Sequence, residues 1–352
     1  MSVTFKEVAE LAGVSTQTVS RVTNGSQNVA EDTRKRVMAA IEELGYVPNK
    51  GAQMLSRAKA MVIGLITLDI GLHGVSHIAS GIRSQAQERG YGISLNVVAV
   101  PSYENLVSSI REQISQKTEH IIVDLPATKE DAEKLVEQFP DISFVFIDVP
   151  PSTRVNRVSA NHYDGAITAA NLMLSQNRSK FVLITGPEDS TASQLRLKGW
   201  NEALKQNSAK VIKRLEGNWF SSSGYLHTRE LVASGVDFDA VLVANDQMAL
   251  GVLRALDEFG IKVPEQVSVT GFDDTEDSAY FTPPLTTVRQ DFVAIGKLAV
   301  EFVLDEENKS GHKKELLTTE LVERKSTSVK QDTDYDKKEI RRLLNQINQL
   351  LP

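Results

Sequence analysis

Polar side chains close to the amino terminus are suited to reading the edges of DNA bases. Thr16, Gln17 and Arg21 follow Gly13 and Ser15 in the run GVSTQTVSR. Glycine permits a tight turn, and a serine hydroxyl can cap the next helix by accepting a backbone hydrogen bond. Amide and guanidinium side chains match the hydrogen-bonding edges of bases in the major groove. The run therefore predicts a helix-turn-helix whose second helix enters that groove.

A second set of polar side chains comes at the ends of apolar runs that predict strands. These residues are Asp69, Asp124, Asp148, Asn245 and Asp273. In open parallel sheets, ligands bind beyond the carboxyl ends of the strands. Each residue taken alone is more often a helix cap or a turn residue. Their recurrence at corresponding places predicts a binding cleft.

Two further residues indicate what this cleft binds. Arg196 offers a fork of hydrogen-bond donors, and Trp219 offers a flat apolar face. Sugar hydroxyls accept bidentate hydrogen bonds, while the C–H groups of a sugar ring pack on an indole. The two residues therefore favour a sugar ligand, and a core tryptophan is the alternative explanation of Trp219.

Three short helices are predicted to hold the base-reading residues. Thr4 and Glu7 have the spacing of a capping box at the start of the first helix. A third helix, Glu31 to Leu44, carries three consecutive basic residues. An ordinary pair of packed helices is the alternative, but three helices before residue 50 form a minimal DNA-binding unit. The apolar stripe of the first helix consists of Phe5, Val8, Ala9 and Leu11.

From Met61 onward, apolar runs alternate with amphipathic segments. Continuous apolar strands separated by helices are typical of parallel sheets covered on both faces. The pattern predicts two doubly wound α/β lobes, with the chain crossing between them more than once. The predicted strands are 62–68, 92–98, 121–123, 181–185, 211–215, 240–244 and 267–271. The predicted helices come after Ser76, from Glu104, near 193–207 and near 224–233.

Length and composition exclude several classes of protein. A chain of 352 residues suggests two or three domains. It has no apolar run of membrane-spanning length, no signal peptide and no cysteine for disulfides or thiolate metal sites, so we expect a cytoplasmic, nucleoid-associated protein. The net charge is −7, yet residues 1–60 hold eight Lys/Arg against six Asp/Glu. We therefore expect dimerisation, more than charge, to supply DNA affinity.

The carboxyl-terminal segment predicts self-association. Residues 326–338 are polar and suggest a linker. Apolar residues then recur at alternating spacings of four and three, as in a helix that buries one stripe against partners. Because so short a helix is marginal alone, we expect a dimer that assembles further into a tetramer, with a frayed tail as the alternative. The stripe consists of Ile340, Leu343, Leu344, Ile347, Leu350 and Leu351.

Signatures of catalysis and of cofactor binding are missing from the sequence. It contains no phosphate loop, nucleophile elbow or zinc-protease helix, and its six histidines lack metal-ligand spacing. Asp273 and Asp274 could form an acid–base pair, but we expect Asp273 to bind sugar hydroxyls and Asp274 to stabilise the fold. His73 could pair with Asp277, with a solvated loop histidine as the alternative. We therefore predict a chain that is no enzyme and holds no cofactor or metal.

Four long motifs resemble the lactose repressor family of bacterial transcription regulators. They are VAELAGVSTQTVSRV near the amino terminus, LRLKGW at 195–200, LVANDQMALG at 242–251 and FDDTEDSAYFTPPLTTVRQDF at 272–292. The resemblance implies an α/β fold with an all-α helix-turn-helix headpiece and a two-lobed, doubly wound parallel-sheet core like the periplasmic sugar-binding proteins. The implied segments are the headpiece 1–48, a hinge helix 49–60, one lobe of 61–160 with 292–319, the other lobe of 161–288 with 320–329, and a linker with an oligomerisation helix at 330–352.

The same resemblance implies a repressor whose dimer binds a pseudo-palindromic operator in double-stranded DNA. Leu55 would insert as an apolar wedge into the minor groove at the operator centre. A tetramer would hold two operators at once. The residues implied to contact DNA are Thr4, Ser15, Thr16, Gln17, Thr18, Ser20, Arg21, Asn24, Asn49, Ala52, Gln53 and Leu55.

The ligand implied by the resemblance is a galactoside inducer, which would close the cleft and release the operator of a lactose operon. A related repressor of another sugar, or one that needs a corepressor such as a purine or a phosphoprotein, is the first alternative. A transport sugar-binding protein would share the core but need a signal peptide and no headpiece. The implied ligand-binding residues are Leu72, Gly74, Val75, Ile78, Asp124, Asp148, Ser190, Arg196, Trp219, Asn245, Asp273, Gln290, Phe292 and Ile295.

Four residues depart from the lactose-responsive members of that family. Thr16 replaces a tyrosine, which is expected to change the outer base that is read. Asp124 replaces an asparagine and Ala160 an aromatic residue, so the pocket gains a charge and loses a packing surface. Gly51 replaces a valine, and because glycine costs about 1 kcal/mol inside a helix, we expect a hinge that orders less readily and binds operator more weakly.

Overall fold

The computed structural model describes residues 3–23, 26, 28–46, 61–305 and 312–328, and the chain divides into two compact units after Met61. The predicted hinge at 49–60, with Gly51, and the predicted tail at 330–352 lie outside the described residues. Two groups of predicted contacts lie outside them as well. They are Asn24, Asn49, Ala52, Gln53 and Leu55 for DNA, and Ile340, Leu343, Leu344, Ile347, Leu350 and Leu351 for oligomerisation.

The described part of the amino-terminal unit consists of three helices, α1 (Phe5–Ala12), α2 (Thr16–Thr23) and α3 (Glu31–Leu44). Glu7 accepts a hydrogen bond from the Thr4 backbone N–H at 2.8 Å, which confirms the link predicted between these two residues. Gly13 ends α1 with φ +64°, a left-handed conformation that favours glycine. Ser15 Oγ accepts from the Thr18 N–H at 3.1 Å and so caps α2.

The three helices enclose a small apolar core, in which Val8, Val19 and Val37 are fully buried. The predicted stripe of α1 is wrong at one position. Leu11 is 46% exposed and Ala12 is buried instead. Residues advance by about 100° around a helix, so Val8 and Ala12 share one side of α1 while Leu11 points away from it.

One lobe of the second unit is built on a six-stranded parallel sheet. Its strands, in spatial order, are β11 (Lys314–Leu317), β5 (Arg157–Ala160), β4 (Ser143–Phe146), β3 (His120–Asp124), β1 (Val62–Thr67) and β2 (Gly92–Val97). Its helices are α4 (His73–Glu88), α5 (Tyr103–Ser115), α6 (Lys129–Gln138) and α11 (Phe292–Val303). We call this part of the chain the first lobe.

The second lobe contains a four-stranded parallel sheet. In spatial order its strands are β7 (Lys210–Glu216), β6 (Lys180–Thr185), β8 (Ala240–Val243) and β9 (Ser268–Thr270). Its helices are α7 (His162–Ser175), α8 (Thr191–Gln206), α9 (Ser221–Ala233) and α10 (Asp246–Glu258). An antiparallel pair, β10 (Thr287–Arg289) and β12 (Glu320–Val322), packs on this lobe through Val288 and Leu321.

Burial along the strands explains why the sequence alternates as it does. The central strands β3, β6 and β8 are buried almost throughout, because helices cover both faces of each sheet. In β1, Leu65 belongs to one apolar cluster and Ile66 to another, on opposite faces. The edge strands β2 and β7 are partly exposed. Within the described residues, no helix is both long and apolar enough to span a bilayer.

Three crossings join the two lobes. They lie at Asn161, at Gln290 and at Thr319, between elements of the two lobes. The first and third crossings are tied together, because the Thr319 hydroxyl donates to the Asn161 carbonyl and the Asn161 N–H donates to Leu317 O at 2.8 Å. Repeated crossing was predicted, while the exact lobe limits given above stay a prediction.

The structure corrects several predicted elements. The helix expected after Ser76 begins at His73, where the preceding Leu72 is extended and the His73 N–H faces Gln247 Oε1 at 3.5 Å. Other boundaries differ by up to three residues. Elements without a sequence prediction are β4, β5, β10, β11, β12, α6, α7, α10 and α11.

Two glycines let helices α4 and α11 approach closely. A Cβ on Gly81 would lie 2.3 Å from the Val293 carbonyl oxygen, and a Cβ on Gly296 would lie 2.2 Å from the Ile78 carbonyl oxygen. Neither distance is possible for a real side chain, so alanine at either position forces the helices apart. Because Ile78 and Phe292 both line the cavity described below, this contact also positions the cleft.

We predict that Gly81→Ala lowers the free energy of unfolding by about 1–3 kcal/mol, as overpacking does. Helix propensity alone would instead raise the free energy of unfolding by about 1 kcal/mol, because alanine favours helix more than glycine does. The sign of the measured change therefore distinguishes overpacking from helix propensity. Urea unfolding followed by circular dichroism measures the change. The control is Ser80→Ala, at the exposed neighbouring position of α4. Equal or higher stability of Gly81→Ala would contradict the close contact.

Candidate functional site

A cavity of about 130 Å³ lies between the two lobes. It is formed at the carboxyl ends of the strands, including β1 and β3, where the strand order reverses direction. All fourteen residues that the resemblance implied for ligand binding line it, so the structure brings them into one place. They are Leu72, Gly74, Val75, Ile78, Asp124, Asp148, Ser190, Arg196, Trp219, Asn245, Asp273, Gln290, Phe292 and Ile295.

Arg196, from α8, is the central cation of this cavity and is 4% exposed. Its Nη2 atom lies 3.5 Å from Asp273 Oδ1, and its Nη1 donates to the carbonyl oxygen of Ala244. The guanidinium carbon lies 4.0 Å from the ring centre of Phe272 and 5.5 Å from that of Trp219. Ring faces attract cations, so Arg196 is held by charge and by aromatic contacts together.

Asp273 follows β9 and has φ +122°, a strained conformation for a residue with a side chain. Its backbone N–H donates to Val288 O at 2.8 Å, which fixes that conformation. Gln290 Nε2 donates to Asp273 Oδ1 at 2.6 Å. Burial raises the pKa of Asp273 to about 7, although the charge of Arg196 acts in the opposite direction.

Asp148, on the first lobe, binds the amino end of α8 on the second lobe. Ser190 Oγ donates to Asp148 Oδ2 at 2.9 Å, and the Ala192 N–H donates to Asp148 Oδ1 at 3.0 Å. An anionic group is stabilised at a helix amino terminus, where backbone N–H groups are free to donate. Burial raises the pKa of Asp148, and these two hydrogen bonds oppose the rise. The carboxylate therefore joins the two lobes across the cleft.

Asn245 and Trp219 occupy neighbouring positions on the wall of the second lobe. Asn245 caps α10 by accepting from the Met248 N–H at 3.0 Å, and its Nδ2 donates to the Trp219 carbonyl oxygen at 2.9 Å. A Cβ on Gly186 would lie 2.2 Å from the Trp219 ring, so the ring rests directly on that glycine. Trp219 is partly exposed and lines the cavity. The indole thus packs against the core of the second lobe and also contributes to the cavity lining.

Asp124 ends β3 on the floor of the cavity and is 7% exposed. Burial raises its pKa to about 7, the nearby charge of Asp148 raises it further, and the Thr67 hydroxyl lowers it. Thr67 Oγ1 lies 3.4 Å from Asp124 Oδ2 and 3.2 Å from the Asp124 carbonyl oxygen, so its single hydrogen serves both. The site therefore contains a carboxylate that the protein itself stabilises weakly.

Two histidines of the cavity are poor bases. The pKa of His162 is well below its usual value because the ring is buried and lies beside Arg196. Burial also lowers the pKa of His73, as does His77, whose ring stacks on it with 4.0 Å between centres. Asp277 acts on His73 in the opposite direction but more weakly. Both histidines are consequently neutral near pH 7.

Three polar residues singled out from the sequence do not line the cavity. Asp69 was expected there, but its carboxylate accepts from the Gly71 N–H at 2.8 Å in an exposed turn. Asp274 accepts from Arg289 Nε at 2.7 Å and from Arg324 Nη2 at 2.6 Å, so it stabilises the fold. Asp277 is exposed. A strand end therefore did not suffice to predict a cavity position for Asp69, because the chain turns away before α4.

Sequence reasoning missed several cavity residues, and for most of them no local signal exists. His162 begins α7 directly after the first crossing, and Gln247 lies in the first turn of α10. Only Gln247 could have been found, because it follows the strand-end residue Asn245 within the motif LVANDQMALG. The residues without a prior assignment to the ligand site are Leu68, His73, Leu125, Pro126, Ile147, Ser159, His162, Ala192 and Gln247.

Two buried polar atoms of the cavity have no hydrogen-bond partner within the part of the chain that the structure describes. They are Arg196 Nε, a donor, and Gln290 Oε1, an acceptor. A buried polar atom without a partner costs about 1–3 kcal/mol. Ligand hydroxyls that reach these atoms can accept from Arg196 Nε and donate to Gln290 Oε1, which a purely apolar ligand cannot do. Within the described residues, no cluster of side chains is arranged to hold a metal ion.

The helix-turn-helix presents the predicted base-reading residues to solvent. Thr16, Gln17 and Arg21 are exposed on α2, while Val19 and Val22 on its other side are buried. This amphipathic arrangement leaves the polar side of α2 accessible to a major groove. The remaining described residues with a predicted DNA contact are Thr4 and Ser15, both exposed, and Thr18 and Ser20, both partly buried.

Comparison with known proteins points to one family. The profile for "Bacterial regulatory proteins, lacI family" matches residues 4–49, and that for "Periplasmic binding protein-like domain" matches residues 170–327. The lactose operon repressor of Escherichia coli (strain K12) is 36% identical over 92% of this chain and 91% of that protein. The lactose operon repressor of Klebsiella pneumoniae is 39% identical over 85% of this chain and 84% of that protein.

Other relatives carry a different name. The HTH-type transcriptional repressor PurR of Vibrio atlanticus (strain LGP32) is 32% identical over 91% of this chain and 97% of that protein.

Among solved structures, the lac repressor dimer bound to operator and the anti-inducer ONPF has a TM-score of 0.86 at 36% identity, covering 93% of this chain and 100% of that one. The matches confirm the predicted α/β class with a helix-turn-helix headpiece and a two-lobed core.

We predict that Asp124→Asn stabilises the protein more at high pH than at low pH. Folded Asp124 keeps its proton up to about pH 7, whereas the unfolded chain loses it near pH 4. Raising the pH through this window therefore favours the unfolded state of the parent protein, and asparagine cannot titrate. Urea unfolding should show a gain of about 1–3 kcal/mol at pH 8 and much less at pH 5. A gain independent of pH would refute the shifted pKa.

Proposed function

The chain belongs to the lacI family of bacterial regulatory proteins, so we propose that it represses an operon for the use of lactose or related β-galactosides. It is a DNA-binding transcriptional repressor and not an enzyme. A galactoside bound in the cleft between the lobes releases it from its operator. The repressor acts on DNA in the bacterial cytoplasm.

One observation carries the sugar assignment. The cavity combines the Trp219 face with the unpartnered donor Arg196 Nε and the unpartnered acceptor Gln290 Oε1. Sugar hydroxyls donate and accept at once, and the apolar side of a pyranose ring packs on an aromatic face. Asp148 and Asp273 offer further acceptors in the same cavity. A galactoside can satisfy all these groups together.

The position of the cavity supports control by the ligand. Asp148 joins the lobes through Ser190 and Ala192, and a sugar between the lobes competes for these same groups. The ligand therefore has different affinities for different lobe arrangements, which is the requirement for shifting their populations. Linkage then makes operator DNA weaken sugar binding by the same factor.

The DNA side of the proposal uses two copies of the chain. We propose that a dimer places one α2 helix in each half of a pseudo-palindromic operator, with Thr16, Gln17 and Arg21 at the bases. A solved relative is titled as a dimer bound to operator, which supports this arrangement. The predicted hinge and tail would add the minor-groove wedge and a tetramer that holds two operators.

A second candidate is a repressor of the same architecture that responds to another small molecule. Two observations favour it: PurR repressors match nearly the whole chain, and Asp124 adds a carboxylate to the cavity. The choice between the two candidates is a choice of ligand and leaves the DNA side unchanged.

The first experiment is fluorescence anisotropy of a labelled symmetric lactose-type operator at fixed salt, with and without isopropyl thiogalactoside. We expect tight binding that the sugar relieves, because it binds the cleft of the released state more strongly. Operator binding that the sugar does not relieve would contradict the galactoside as ligand and would leave the repressor assignment standing. Absence of specific binding to this operator, with binding to unrelated DNA intact, would locate the error in the operator assignment, beginning at Thr16.

A pair of neighbouring substitutions tests the cleft itself. Asp273→Asn removes a charged acceptor that faces the cavity, and we expect it to raise the sugar concentration for half-release by about tenfold or more, given about 1.5–3 kcal/mol for a hydrogen bond to a charged group. Operator affinity without sugar should stay close to that of the parent. The same titration measures both quantities.

Asp274→Asn is the matched control, because Asp274 pairs with Arg289 and Arg324 outside the cavity. It should lower the free energy of unfolding by about 1–3 kcal/mol while leaving the half-release concentration within about threefold of the parent. Equal effects of the two substitutions on half-release would show that Asp273 does not contact the sugar.

A further inference from the structure

The cavity contains more acidic than basic groups. Among the described residues that line it, Asp124, Asp148 and Asp273 carry carboxyl groups, of which Asp124 and Asp273 have pKa values of about 7, and Arg196 carries the guanidinium. The histidines of the cavity are neutral near pH 7, as shown above. A neutral sugar leaves this imbalance in place. An anionic ligand such as a sugar phosphate would increase it.

The three carboxylates differ in how well the protein satisfies them. Asp148 accepts two hydrogen bonds of about normal length, and Asp273 accepts one from Gln290 and lies 3.5 Å from Arg196. The Asp124 carboxylate has a 3.4 Å contact with the Thr67 hydroxyl, whose hydrogen is shared with a carbonyl oxygen. A carboxylate can accept about four hydrogen bonds. Asp124 is therefore the acceptor with the most unused capacity.

We propose that the natural effector carries a protonated amine, as an amino sugar does, and that Asp124 is the residue that selects it. This inference rests on the proposed function, since it specifies the ligand class of the same cleft. An ammonium group supplies three donors and one positive charge, and Asp124 and Asp148 both line the cavity and repel each other electrostatically. The sugar hydroxyls then engage Arg196 Nε and Gln290 Oε1.

The structure favours an ammonium group over a metal ion as the source of positive charge. Divalent cations need several oxygen ligands converging on one point, and the part of the chain that the structure describes has no such group of side chains. An organic amine needs only acceptors on one side of the cavity, with the rest of the molecule held elsewhere. The Trp219 face and the Arg196–Gln290 pair provide that second attachment.

The test is titration calorimetry on the full chain near pH 7. The ligands are methyl β-galactoside and its three derivatives in which the hydroxyl at carbon two, three or six is replaced by an amine. We expect one derivative to bind about tenfold or more tightly than the parent sugar, because a charge-assisted hydrogen bond replaces a neutral one. In Asp124→Asn this preference should disappear, and circular dichroism together with operator binding shows that the variant is folded.

Asp69→Asn is the matched control. It makes the same substitution and charge change directly after the neighbouring strand β1, but Asp69 lies in the exposed turn and outside the cavity. It should keep the preference for the amino derivative. Loss of the preference in both variants would mean that overall charge, and not contact with Asp124, attracts the amine, and would overturn the assignment.

The remaining outcomes separate this inference from the proposed function. If the parent galactoside binds and every amino derivative binds more weakly, the inference fails and the galactoside-controlled repressor stands. If an amino derivative binds and methyl β-galactoside does not, the inference stands and the assignment of a neutral galactoside as the effector is wrong. If none of the four sugars binds, both fail, while operator binding still reports on the repressor.

Discussion

The arrangement of the cleft depends on one buried cation, the guanidinium of Arg196. A charge removed from water is tolerated only where it is paired and hydrogen-bonded. Asp273, the Ala244 carbonyl oxygen and two aromatic rings supply those partners, and they come from three different strand ends of the second lobe. Because Gln290 holds Asp273 from the second crossing, the same chain of contacts fixes where the lobes meet. Binding and domain geometry thus share one group of atoms.

Parallel topology explains why these atoms gather there. Every strand of a parallel sheet points its carboxyl end to the same edge, and the following helix begins at that edge with free N–H groups. Asn245 caps α10 and lines the cavity at once, and Ser190 caps α8 while it donates to Asp148. The two explanations of such residues, cap or binding group, are therefore not alternatives. A helix cap at this edge of the sheet is already positioned to meet a ligand.

The parts that could be predicted from sequence are those whose cause is local or repeated. The Thr4–Glu7 hydrogen bond, the Ser15 cap and the bounds of α3 follow from neighbouring residues, and the strand-end rule located four of its five polar residues in the cavity. Asp69 is the exception, because its carboxylate accepts a hydrogen bond from the Gly71 N–H within a turn and does not reach the cavity. Five strands of three or four residues, β4, β5, β10, β11 and β12, were missed, although β8 and β9 of the same length were predicted. His162 depends on a crossing between lobes, which no window of sequence displays.

The strength of control by a ligand depends on what the cleft already contains. The Asp148 link across the lobes exists in the chain alone, so a ligand that competes for it replaces hydrogen bonds that are already made. The ligand gains further binding free energy from groups that the protein leaves unsatisfied. Arg196 Nε, Gln290 Oε1 and the Asp124 carboxylate are such groups among the described residues. A ligand that satisfies all three therefore has more free energy available for control than one that satisfies the first two.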